Sequence, residues 1–137
     1  MNEKSNKLGW LVPAVIVAAI AVAVAALWGS LAETLPAHFD LEGNAGGTMS
    51  KTTLLFYPLA GLIICLIAFG ISCRTSRKAL KGNLLILTSG IELIILSSVM
   101  VTLTQGATPV FMLAEPVILA ITVVVCLIYI IKERKSR

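Results

Sequence analysis

Few side chains in this 137-residue sequence have chemistry to offer, and several of them lie in one stretch. Residues 31–51 carry the single histidine, His38, with Asp40 and Glu42 at alternate positions after it and glycines at 43, 46 and 47. In an extended chain this alternation puts the imidazole and both carboxylates on one face. Such groups can ligate zinc or another divalent ion. Metal sites need three or four fixed ligands, however, and only Glu33 is also at hand. The metal candidates His38, Asp40 and Glu42 therefore compete with a plainer reading, a histidine hydrogen-bonded to the backbone of its own loop. No GxSxG, HExxH or phosphate-cradling lysine loop occurs. An enzyme is not expected, a metal-dependent one ranks last among the readings, and no cofactor is called for.

Two further carboxylates stand inside apolar runs. Glu92 lies about nine residues into the third of them, roughly 13 Å from its end at helical rise. A charge at that depth is expensive, so Glu92 should be protonated, paired or facing a hydrated cavity. It is either a proton or cation site, or a neutral acid bonded across a helix interface to Ser89, Ser97 or a neighbouring threonine. Glu115, followed by Pro116, enters the fourth run nearer its end, where the proline leaves a carbonyl without its usual N–H partner. Cys65, Cys73 and Cys126 have neither CxxC spacing nor a nearby histidine, so they read as small buried residues. Cys73 beside Arg74 is the exception, as a candidate lipidation site or reactive thiol.

The elements that must position these groups are membrane helices. The chain is 58% hydrophobic and only 13% charged, with mean hydropathy +0.96, whereas soluble domains are nearer one quarter charged. Four apolar runs are expected as spans, at about residues 8–31, 52–72, 83–104 and 110–131, in a single domain covering 1–137. The first is too long for a signal-peptide core, and Trp10 and Trp28 bracket it at roughly 27 Å, so that both indoles can sit in the interfaces. The net charge of +4 comes mostly from residues beside span ends. Nucleic acid is therefore not the expected partner; the lipid bilayer is. Lys4 and Lys7, then Arg74, Arg77, Lys78 and Lys81, then the tail from Lys132 all fall on one side if there are four spans. This predicts cytoplasmic termini and an external segment 31–51.

The stretch 31–51 resembles the external-loop motif of a bacterial membrane domain of unknown function shared with SdpI-type immunity proteins. That pattern reads approximately L-P-x-x-I-P-x-H-F-x-x-x-G-x-P-D-x-x-x-S-K. Leu31, Leu35, Pro36, His38, Phe39, Gly43, Ser50 and Lys51 fall on it in register. Ala32 and Ala45 stand where the pattern has proline, and Gly46 where it has aspartate. A ligand or turn-cap role of that aspartate is then absent or has moved to Asn44 or Asp40. The SdpI-type members protect a cell from a secreted peptide toxin and have additional spans. The resemblance covers the end of the first span, the loop and the start of the second.

The expected architecture is an all-α bundle of four transmembrane helices in the bacterial cell membrane, with the His38 loop over its external end and Phe39 and Leu41 dipping inward. The leading functional reading is a binding, immunity-like or signalling factor. Its loop residues Pro36, His38, Phe39, Asp40, Gly43 and Lys51 would recognise a peptide or envelope partner outside the cytoplasm. The alternative is a proton or cation transporter or channel subunit using Glu92, with homo-oligomerisation supplying the pore.

Overall fold

The computed structural model describes residues 8–40, 42, 44–104 and 109–135. Gly43 and Leu41 of the expected loop lie outside the described residues, as do the connector at 105–108 and the extreme termini. Among the described residues, four helices are long and apolar enough to cross a membrane. They are α1 (Leu11–Leu27), α2 (Phe56–Arg74), α3 (Lys78–Leu103) and α4 (Pro109–Lys135). One-turn 3₁₀ segments extend α1 at Trp28–Ser30 and precede α2 at Lys51–Leu55. The architecture is the expected all-α four-helix bundle. Leu, Ile and Val side chains crowd its outward faces, among them Leu11, Val15, Leu66, Ile67, Leu119 and Ile128. With backbone groups satisfied inside each helix, that surface suits hydrocarbon, and the chain is a multi-pass membrane protein.

Helix α3 is the hub, touching α1, α2 and α4. Its sequence is the reason: it places glycine, serine and threonine where its neighbours approach. Gly82 lies against Tyr129, Gly90 against Thr122, and Ser98 against Glu115. Steps of eight residues along α3 thus meet steps of seven back along α4, which is an antiparallel helix pair in register. Small residues at such positions let membrane helices pack closely, where no water-driven hydrophobic force draws them together. A Cβ on Gly90 would collide with the Thr122 hydroxyl, whose position is fixed by its own 2.7 Å bond to the Ile118 carbonyl. Gly90→Leu should therefore cost about 2 kcal/mol by overpacking, measured as thermal unfolding in detergent micelles. Gly82→Ala should cost less, because the atoms it meets belong to the far end of the Tyr129 side chain.

The segment expected as a loop folds into an antiparallel hairpin of β1 (Thr34–Phe39) and β2 (Ala45–Ser50). Its register pairs Thr34 with Ser50, Pro36 with Thr48 and His38 with Gly46. Pro36 is tolerated because a two-stranded ribbon has only edge strands. Gly47, at φ +66°, takes a conformation open chiefly to glycine. Leu35 anchors the hairpin to the bundle: it is buried with Ile20 and Val24 of α1, Leu54, and Val99 and Leu103 of α3. A second cluster at the opposite end joins Trp10, Cys65 and Ala68, and the Trp10 ring meets Phe69 edge to face with centroids 5.6 Å apart. Trp10 is thus buried in helix packing.

Candidate functional site

The hairpin turn is organised by Asp40. Its Oδ1 accepts the backbone N–H of Glu42 at 2.9 Å and of Asn44 at 2.8 Å, and its Oδ2 accepts from the Asn44 side chain at 3.0 Å. One carboxylate thereby satisfies the donors of a tight turn, which is what aspartate does best in loops. Asp40 and Asn44 act together as the turn cap. Across the ladder, the His38 imidazole lies over Gly46, so close that a Cβ there would overlap its Nε2. The glycine at position 46 is what gives the imidazole its seat.

Lys51 closes the base of the hairpin. Only 8% exposed, its backbone N–H donates to the Glu33 carbonyl at 2.8 Å. Its Nζ donates to the Leu31 carbonyl at 3.3 Å and lies 4.8 Å from the centre of the Trp28 ring. The Glu33 carboxylate is 3.8 Å away but 90% exposed. Water screens that ion pair, leaving about 0–1 kcal/mol, whereas a partly desolvated cation over indole contributes up to about 2 kcal/mol. Lys51→Ala should therefore destabilise the fold by about 2 kcal/mol and Glu33→Ala by a few tenths at most, read as thermal unfolding in micelles. Lys51, a sequence candidate for partner contact, sits where it clasps the hairpin onto the end of α1.

Between the hairpin and the adjoining ends of α2, α3 and α4 lies a cavity of about 740 Å³. Ala37, His38, Phe39, Asp40 and Glu42 form one wall; Tyr57, Ser98, Val101, Thr102 and Glu115 form the other. The Ser98 hydroxyl donates to Glu115 Oε1 at 2.6 Å, holding that carboxylate against α3. Three carboxylates, an imidazole and three hydroxyls line this space along with two aromatic rings. It therefore favours hydrogen-bond donors and positive charge over anions. The fold brings together His38, Phe39, Asp40, Glu42 and Glu115, and leaves Pro36 and Lys51 outside the lining. No group of three His, Cys, Asp or Glu side chains among the described residues is placed to hold a metal ion. Ser98, Thr102 and Tyr57 are contributors that the sequence reading did not single out. Ser98 and Thr102, one turn apart in an apolar run, were the available signal.

Glu92 faces elsewhere. It is fully buried, its Oε2 lies 2.5 Å from where a Gly61 Cβ would be, and Val17 of α1 packs on the same spot. Neither carboxylate oxygen has a hydrogen-bond partner, so the expected bond to Ser89 or Ser97 is not made. Glu92 looks toward α1 and α2, Glu115 toward Ser98; the structure keeps the two acids on different faces of α3.

Fold and cavity together define a class: a small multi-pass membrane protein with a β-hairpin folded over one end of a four-helix bundle. Residues 14–62 match the family described as Domain of unknown function (DUF1648). That match runs from α1 through the hairpin into the first turns of α2, and so contains the His38 wall of the cavity but not Ser98 or Glu115. No curated protein and no solved structure matches the chain.

Proposed function

We propose that the protein is a binding factor of the bacterial cell membrane, immunity-like or signalling in role and not an enzyme, which takes a peptide or envelope partner into the hairpin cavity. The observation that carries this reading is the cavity itself. It is walled by His38, Phe39 and Glu42 on one side and Tyr57 and Glu115 on the other. In this reading both termini are cytoplasmic and the hairpin is external, the side that the basic segments at 74–81 and 132–137 favour. A single cysteine at Asn44 should then label from outside intact cells, and one at Lys78 should not; the reverse pattern would invert the protein.

Binding is tested by placing a photoreactive phenylalanine analogue at Phe39 in living cells, and another at Leu127, on the outward face of α4. A discrete adduct is expected at position 39 alone, and it should disappear with His38→Ala or Glu115→Ala in chains that still insert. Adducts at both positions, or an adduct indifferent to both substitutions, would remove the cavity as the recognition site.

A further inference from the structure

Glu92 stands apart from the cavity reading and carries an inference of its own. Its side chain has no exposed surface and both its oxygens lack partners. It is enclosed by three helices: its own α3, α1 at Val17, and α2 at Gly61, whose missing side chain leaves the carboxyl its seat. What could neutralise it is limited. Helix α1 has no titratable residue between Leu11 and Leu27. Helix α2 offers the Cys65 thiol, one turn from Gly61 and buried on the same side of that helix. On α4, Glu115 and Tyr129 face Ser98 and Gly82 on another side of α3. Among the described residues no lysine, arginine or histidine faces the site, so none of them supplies a counter-charge. A bare metal cation would need several oxygen ligands, and no group of three His, Cys, Asp or Glu side chains is placed to hold one among the described residues.

The proton is the ligand that remains. An ionised, unpaired carboxylate in apolar surroundings is far costlier than the neutral acid. We propose that Glu92 is an intramembrane proton-binding site, loaded in this closed packing of α1, α2 and α3 and able to exchange its proton only when the contact at Gly61 opens to water. The bundle thereby couples proton occupancy to helix packing.

The test uses the full chain in liposomes and two carbodiimides, one membrane-soluble and one confined to water. The protonated acid adds its O–H across a carbodiimide C=N bond, giving an O-acylisourea that rearranges to a stable N-acylurea, and the labelled peptide is mapped by mass spectrometry. At neutral pH the membrane-soluble reagent should modify Glu92, with labelling falling as pH rises. The water-soluble reagent should spare Glu92 while modifying exposed Glu33. Absence of Glu92 labelling by the membrane-soluble reagent, or equal labelling by both reagents, would overturn the proposal. Infrared spectroscopy is the independent readout. A carboxylic-acid C=O band present at neutral pH should be lost in Glu92→Gln, and a band unchanged in that variant would count against a protonated Glu92. Should the variant fail to fold, the labelling of the unmodified chain decides alone.

Discussion

Replacing Gly61 by leucine should lower stability by about 3 kcal/mol or more, the largest loss expected from any single change in the bundle. A Cβ at that position would already lie 2.5 Å from Glu92 Oε2 and 3.3 Å from both Glu92 Cδ and Val17 Cγ2. The three further carbons of leucine have nowhere to go, and overpacking a close-packed interior costs 1–3 kcal/mol or occasionally more. The effect has a specific signature. Gly61→Ala should be rescued in part by Glu92→Ala, because the second change vacates the space the first one needs. A double-mutant cycle on thermal unfolding in micelles should give a coupling of about 1–2 kcal/mol. Simple additivity would mean that the two residues do not share the contact. Glu92→Met should be at least neutral to stability, since an unbranched apolar chain removes two buried oxygens that have no partners.

Gly46→Asp should have the second-largest consequence, on the cavity more than on the bundle. Any Cβ there overlaps the His38 imidazole, so the ring must swing out of the wall it forms. Loss of the photo-adduct at Phe39 is expected, with about 1–3 kcal/mol of destabilisation from the displaced packing. Gly47→Ala is the control. It is strained by its φ of +66°, at about 1 kcal/mol, yet its Cβ would come no nearer than 3.7 Å to His38. Adduct retained in Gly47→Ala and lost in Gly46→Asp would assign the effect to His38. Equal loss in both would assign it to the hairpin backbone.

Much of the bundle could be read before any coordinates. Four long apolar runs separated by short polar breaks leave few alternatives, since only helices or closed barrels satisfy their backbone in lipid. The hairpin was harder. Strand β2 reads A-G-G-T-M-S, with one β-branched residue and two glycines, and β1 contains Pro36; both depress any propensity-based strand signal. What stabilises the ribbon is nonlocal, namely Leu35 in the core and Lys51 on Trp28. Glu92 was conspicuous as a buried acid, but its neighbours Gly61 and Val17 are two ordinary residues on other helices, and sequence alone does not say which helices meet at that depth. Ser98 and Glu115 pose the same difficulty. Each is unremarkable in its own run, and their 2.6 Å bond is a property of how α3 and α4 are staggered. Lys51, singled out through its place in the loop motif, is buried by the fold against Trp28, a contact that its sequence surroundings do not announce.

The cavity joins two parts of the chain that stand differently to the family match. One wall belongs to the hairpin, inside the matched residues 14–62; Ser98, Thr102 and Glu115 belong to α3 and α4, outside them. A chain that kept the first half and altered the two later helices would retain the hairpin, its Asp40 cap and its Lys51 clasp while facing His38 with a different surface. The geometry thus separates the part of the chain that folds the hairpin from most of the surface it faces, Tyr57 being the floor residue that lies within the match.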